Sequence, residues 1–190
     1  FDETPFDQPL SGWNVSNVND MSSMFSESQF NQPIGNWNVS GVTNMSYMFA
    51  GSQFNQPLSG WNVSNVNDMY EMFSYSQFNQ PIGNWDVSNV TNMYGVFLLS
   101  QFNQNIGNWN ISGVTNFNNF MLGKTPSTFS TTNLDSIYNG WSTKNPKTGI
   151  TIVFGSANYT TSGGQAGKDI LTGSTMSGGY GWIITDGGGI

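Results

Sequence analysis

The chain has 190 residues, a formal net charge of −7 and no cysteine, histidine or arginine. Disulfides, thiolate metal sites and any Ser-His-Asp or Cys-His catalytic arrangement are thereby excluded. The first 123 residues hold no basic residue and eight acidic ones (Asp2, Glu3, Asp7, Asp20, Glu27, Asp68, Glu71, Asp86), a balance that repels nucleic acid and anionic lipid alike.

The chain opens inside a repeat, without an initiator methionine or a signal peptide, so a segment of a longer polypeptide is expected. Phe6, Phe30, Phe54, Phe78 and Phe102 recur every 24 residues. So do Trp13, Trp37, Trp61, Trp85 and Trp109, then Val15, Val39, Val63, Val87 and Ile111, then Met21, Met45, Met69, Met93 and Phe117. A period of this length signals stacked coils. Within the second coil, Trp37 and Val39 alternate with Asn36, Asn38 and Ser40, which predicts a short strand with one buried face. Val42, Met45, Met48 and Phe49 follow at helical spacing, with Ser40 at the N-cap position. The helix-poor Asn and Ser content limits that helix to one or two turns, partly 3₁₀. The segment Gln53-Phe54-Asn55-Gln56-Pro57 turns the chain back. A single repeat has too little core to fold alone, so each Trp and Phe must be buried against the coils on either side. The fold class read from these elements is α/β: a right-handed solenoid with a parallel sheet on one face and short helices on the other. Residues 1–122 form its five coils.

The unit F-N-x-P-[IL]-x-x-W-[ND]-[VI]-S-x-V-x-x-[MF]-x-x-[MVF]-[FM] resembles the BspA-like branch of leucine-rich repeats and the related short repeats of bacterial surface lipoproteins. The match covers residues 6 to 122. In the tail, LDSIYNGW and QAGKDILTG…GWIITDGG resemble the closing segment of such arrays. The resemblance implies a leucine-rich-repeat-type solenoid, an extracellular or cell-surface location and a role in adhesion or recognition. One departure stands out: Trp, Val and Met largely replace the consensus leucines.

After Met121 the period breaks. Leu134, Ile137, Tyr138 and Trp141 predict a helix; Ile150, Ile152 and Phe154 a strand; Ala166, Ile170 and Leu171 a second short helix. Trp182-Ile183-Ile184-Thr185 repeats the pattern of Trp37-Asn38-Val39-Ser40. Residues 123–190 are read as irregular coils that cap the sheet edge and run into a linker at Gly187-Gly188-Gly189. All four lysines (Lys124, Lys144, Lys147, Lys168) lie in this part, which suits protection of an edge. The N-terminal coil has no comparable cap.

Two sets of residues are candidate binding surfaces. On the helix side, the coils differ most from one another, and Tyr47, Tyr70, Tyr75, Tyr94, Leu98 and Leu99 form the primary candidate, an aromatic patch of the kind interfaces use. On the sheet face, Asn14, Asn38, Asn62, Asp86 and Asn110 form a weaker one beside Ser16, Ser40, Ser64, Ser88 and Ser112, because a ladder alike in every coil carries little recognition information. Seven N-x-[ST] triplets, at Asn14, Asn38, Asn44, Asn62, Asn89, Asn110 and Asn158, are by-products of the repeat. Asp20, Asp68, Asp86, Asp135, Asp169 and Asp186 show no calcium-loop spacing, so no metal site and no cofactor are expected. Lys168 and Asp169 are neighbours on a helix and read as surface charge, not as a catalytic pair. The expected function is a non-catalytic surface module binding a protein or glycan at a cell surface, without nucleic acid or membrane insertion. The alternative is a structural subunit that self-associates through its uncapped N-terminal coil into a layer or filament.

Overall fold

A computed structural model describes residues 1–190. Five turns of chain stack in parallel, each in register with the next: single-residue bridges link Asp20 to Asn44, Asn44 to Asp68, Asp68 to Asn92 and Asn92 to Asn116. The rings stack in the same register. Phe30, Phe54, Phe78 and Phe102 form one column with centroids 6.1–6.3 Å apart, and Phe25, Phe49, Phe73 and Phe97 a second at 5.5–5.9 Å. The two columns touch in every coil, as at Phe25 and Phe30 (4.1 Å). Trp37, Trp61, Trp85 and Trp109 each donate their indole N–H to a carbonyl of the preceding coil, at Leu10, Ile34, Leu58 and Ile82. Each of these indoles thus carries its own polar group to a buried acceptor, as buried indoles require.

The local structure of the coils differs from the elements expected of them. No strand forms at Trp37–Val39. The Trp37 N–H donates to the Ile34 carbonyl and the Val42 N–H to the Val39 carbonyl, so this stretch is a pair of tight turns. Nor does a helix form over 42–49. Instead the parallel pairing lies here. The N–H groups of Met45, Tyr47, Phe49 and Gly51 donate to Asp68, Tyr70, Met72 and Ser74 of the next coil. Those of Met48, Ala50 and Ser52 donate back to Met45, Tyr47 and Phe49. Every second N–H therefore leaves the coil and the others close turns, which satisfies the buried backbone without helix or regular strand. The device is a left-handed residue at every fourth position: Tyr47 (φ 58°) and Gly51 (φ 63°) here, with Ser23, Glu27, Glu71, Tyr75, Gly95, Leu99, Asn119 and Gly123 in the other coils. A continuous helix is incompatible with such residues. Met45, Met48 and Phe49 are nevertheless all buried, because tight turns bring positions three and four apart to one side as a helix does. Ser40 is not a helix cap; its hydroxyl donates to Asn38 Oδ1.

Beyond the array, regular elements appear close to where the apolar spacing predicts them. Helix α1 spans Thr131–Trp141, with the Ser130 side chain accepting from the Asn133 N–H, and it buries Leu134, Ile137, Tyr138 and Trp141. Strand β1 (Thr151–Val153) pairs in parallel with β2 (Ile183–Thr185), and Phe117 bridges Ile152, so β1 continues the stack from the fifth coil. Helix α2 (Gln165–Thr172) buries Gly167 and Leu171, while Ala166 and Ile170 face outward. The α1 helix takes the place of a sixth coil: the Trp141 indole donates to the Ile106 carbonyl, one coil on from the bond Trp109 makes. Contact at this distance needs glycine on both sides, since a Cβ on Gly140 would run into the Gly107 backbone and one on Gly107 into Ser136.

Three expectations for this region are corrected. Gly187–Gly189 do not begin a linker: Asn158 Nδ2 donates to the carbonyls of Gly187 and Gly188, and Tyr159 bridges Gly189. Lys124 does not guard an edge. It is buried, and its Nζ donates to the Ser100 carbonyl at 2.5 Å. In the other coils that carbonyl position (Ser28, Ser52, Ser76) receives the backbone N–H of Gln53, Gln77 or Gln101. The chain leaves the repeat at Thr125, whose N–H goes to Thr128 Oγ1, so the ammonium fills the missing bond. Lys168 is not free surface charge, because its Nζ lies 2.7 Å from Asp186 Oδ2.

Candidate functional site

On the side of the coils where the repeats diverge, the tyrosines form a continuous column. Tyr47 lies 5.0 Å from Tyr70, and Tyr70 stacks on Tyr94 at 4.7 Å with the rings nearly parallel (3°). The Tyr94 hydroxyl accepts from Asn119 Nδ2 at 2.7 Å. Tyr47 is 38% exposed, whereas Tyr70 and Tyr94 are half-buried by their neighbours. Burial, and then the Tyr47 hydroxyl, hold the Tyr70 phenol above its ordinary value, so it stays neutral. Tyr75 and Leu99 stand 24 residues apart at the second left-handed position of their coils, and both are largely exposed, at 55% and 51%. Leu98 does not belong to the surface: at 8% exposure it packs inward. The structure thus divides the six candidates into a stacked column (Tyr47, Tyr70, Tyr94), an exposed pair (Tyr75, Leu99) and one core residue.

Side chains at the left-handed positions lean toward the following coil, and glycine makes room for three of them. A Cβ on Gly51 would collide with the Glu27 carboxylate, on Gly95 with Glu71 Cγ, and on Gly123 with Leu99 Cδ2. The differences between coils on this face are therefore coupled in pairs down the stack. Sequence inspection of single coils misses this coupling. Its visible trace is glycine appearing in one coil after a large residue in the coil before.

The second candidate set has a different use. Asn14, Asn38, Asn62, Asp86 and Asn110 are all exposed, yet each accepts through Oδ1 from the backbone N–H of the serine two residues on, at 3.1–3.3 Å. The Ser88 hydroxyl, then its backbone N–H, hold the Asp86 carboxyl below its usual value. These side chains are turn locks. A second column, Asp20, Asn44, Asp68, Asn92 and Asn116, runs down the bridged positions of the coils. Asp20, Asn44, Asp68 and Asn92 lock the turns into Ser22, Ser46, Tyr70 and Tyr94, and Asn44 Nδ2 reaches Asp20 in the coil before. The Ser22 backbone N–H is the main cause of a lowered Asp20 carboxyl. No group of three Asp or Glu side chains comes together to hold a metal ion.

In the cap, a polar cluster joins α1, α2 and the last residues. Asp186 accepts from Tyr138 Oη, from Lys168 Nζ (2.9 and 2.7 Å) and from the Gly188 N–H (3.0 Å). The Lys168 ammonium also sits 4.6 Å from the centre of the Tyr159 ring. Burial, reinforced by Asp186, keeps the Tyr138 phenol protonated. The carboxylate is 4% exposed, so the cluster is a buried tie and offers a ligand no access.

Two depressions mark the surface. One, about 290 Å³, lies beside α2 and is lined by Asp169, Ile170, Gly173 and Ser177–Gly179. The other, about 340 Å³, opens on the end face of the first coil over Trp13, Val15, Val18, Met21 and Met24. No helix is long and apolar enough to cross a membrane.

A family model described as "Mycoplasma protein of unknown function, DUF285" matches residues 1–97 and 74–162. No curated protein and no solved structure shows significant similarity to the chain. The chain belongs to that family, and the two matches together span the five-coil array and the first part of its cap.

Proposed function

We propose that this protein is a non-catalytic, BspA-like surface module, built on a leucine-rich-repeat-type solenoid, that binds a protein or glycan at a cell surface. The side of the coils bearing Tyr47, Tyr70, Tyr75, Tyr94 and Leu99 is its contact surface. One observation carries this reading: Tyr75 and Leu99 stand exposed in the same coils, just after Tyr70 and Tyr94 of a pre-stacked tyrosine column, Tyr47–Tyr70–Tyr94. Stacked rings lose little freedom on binding, so they offer apolar area at low entropic cost. The partner is neutral or basic, because Glu27 and Glu71 stand among these residues and the first 123 residues hold no cation to receive an acidic one.

A screen against glycans and cell-surface proteins tests the proposal. For a partner found in that screen, Tyr75→Ala combined with Leu99→Ala lowers affinity at least about tenfold. Asn38→Ala combined with Asn62→Ala leaves it unchanged. Equal losses from both pairs, or none from the first, would place contact elsewhere.

A further inference from the structure

The end face of the first coil is an unfilled copy of an interface that the molecule builds four times. Trp13, Val15, Val18, Met21 and Met24 line its groove, and they hold the positions at which Trp37, Val39, Val42, Met45 and Met48 are buried one coil later. Trp13 is 49% exposed, against 3% for Trp37. The indole N–H of each internal tryptophan reaches a carbonyl of the coil before it; that of Trp13 reaches none. The carbonyls of Asp20, Ser22 and Met24 receive no N–H, while those of Asn44, Ser46 and Met48 receive the N–H groups of Met21, Ser23 and Phe25. The Asn19 N–H has no acceptor, although Thr43 in the same position donates to Asn19. The face therefore presents three acceptors, two donors and an apolar groove, in the order that one repeat coil complements.

The first residues fix the register for such an occupant. The Phe1 ring lies 5.8 Å from Phe25 and nearly parallel to it (7°), as Phe25 lies on Phe49 (5.7 Å, 12°). The Glu3 N–H donates to Ser26 as the Glu27 N–H donates to Ala50, and Glu3 has the same left-handed backbone (φ 54° and 51°).

We infer that this face is a docking surface for one further coil of the same 24-residue pattern, seated in the register set by Phe1 and Glu3. Its occupant supplies backbone N–H groups to Asp20, Ser22 and Met24 and a carbonyl to the Trp13 indole, and it covers the Val18–Met21–Met24 groove. The opposite end of a second copy is a poorer match. It presents β2, a three-residue strand with Ile183 exposed, and its own Trp182 is already buried with the indole bonded to Lys147. This inference is independent of the tyrosine surface.

The test joins a copy of the segment Phe30–Met48 directly in front of Phe1, so that Phe1 takes the place of Phe49. Exchange of the Trp13 indole proton, followed by NMR in the full chain, then slows by more than about tenfold, and the unfolding midpoint rises. A control with one extra glycine between Met48 and Phe1 breaks the register and gives neither effect. Unchanged exchange in the extended chain, or equal protection from the control, overturns the inference. So does protection of Trp13 in the unextended chain that grows with concentration and is lost in Ile183→Lys, since the occupant would then be the cap of a second copy.

Discussion

The array and the cap hold their backbones by opposite means. In the array, local bonds close only tight turns, each coil gives alternate N–H groups to the next, and rings 24 residues apart lie on one another. In the cap, α1 and α2 close their own bonds, and a buried Lys168–Asp186 pair ties them to the chain end. The array draws its stability from repetition, so a coil is as strong as its two neighbours make it. The cap draws its stability from specific polar contacts that occur once. Damage should therefore be shared by position in the array and concentrated at single residues in the cap.

The largest effect is expected inside the array. Trp85→Ala removes a ring buried between two coils and strands the Leu58 carbonyl, at a cost of about 3–5 kcal/mol. Trp13→Ala costs about 1 kcal/mol or less, because half of that ring already faces water. Denaturant unfolding of both variants measures the contrast, and equal losses would break the picture of neighbour-dependent strength. Next comes the cap. Asp186→Ala leaves Lys168 and Tyr138 without their shared acceptor and costs about 3 kcal/mol. Hydrogen exchange should show this loss in α1, α2 and residues 187–190, with the Trp37–Trp61–Trp85 coils still protected. Loss of protection throughout the chain would mean that the two regions unfold as one.

The same contrast decides what the sequence discloses. In the cap, Leu134, Ile137, Tyr138 and Trp141 follow helical spacing and Ile150, Ile152 and Phe154 strand spacing, and α1 and β1 form there because each element is locally encoded. In the array, the period and the buried set were legible, because they depend only on which side chains recur. The backbone path was not. Its determinants are left-handed residues, and at Tyr47, Glu71, Tyr75 and Leu99 these are residue types that carry no such signal. Only Gly51, Gly95, Gly123 and Asn119 hint at it. For the candidate site the tyrosines were visible as differences between coils. Burial of Leu98 and the coupling of Leu99 to Gly123 were not, since both depend on how successive coils lean.

The junction of the two regions supplies a pH test. Burial lowers the Lys124 ammonium to about 8, and its partner is a neutral carbonyl. Below that value both the folded and the unfolded chain are protonated, and the folded state carries the full cost of a buried charge. As pH rises from about 8 toward the unfolded value of 10.5, the folded chain releases the proton first and stability increases, by on the order of 3 kcal/mol in all. Thermal unfolding between these limits should show the rise as the difference between the parent chain and Lys124→Met, since the buried Tyr70 and Tyr138 phenols act in the opposite direction and equally in both chains. A flat difference between the two chains would show that water reaches the ammonium and that the junction is looser than the coils it joins.

The smallest effect tests the backbone path itself. Leu99 holds a left-handed conformation (φ 51°) that costs a non-glycine residue about 1–2 kcal/mol. Leu99→Gly removes that strain, loses a mostly exposed side chain and adds freedom to the unfolded chain worth about 0.5–1 kcal/mol. The net expectation is a gain of about 0.5 kcal/mol, visible as a small rise in the unfolding midpoint. Leu99→Val, with its branch next to the strained backbone, should lower the midpoint instead. In a segment that was helical the order would reverse, since glycine there destabilises relative to valine. The sign of the difference between these two variants therefore discriminates a turn ladder from a helix on the face that carries the candidate site.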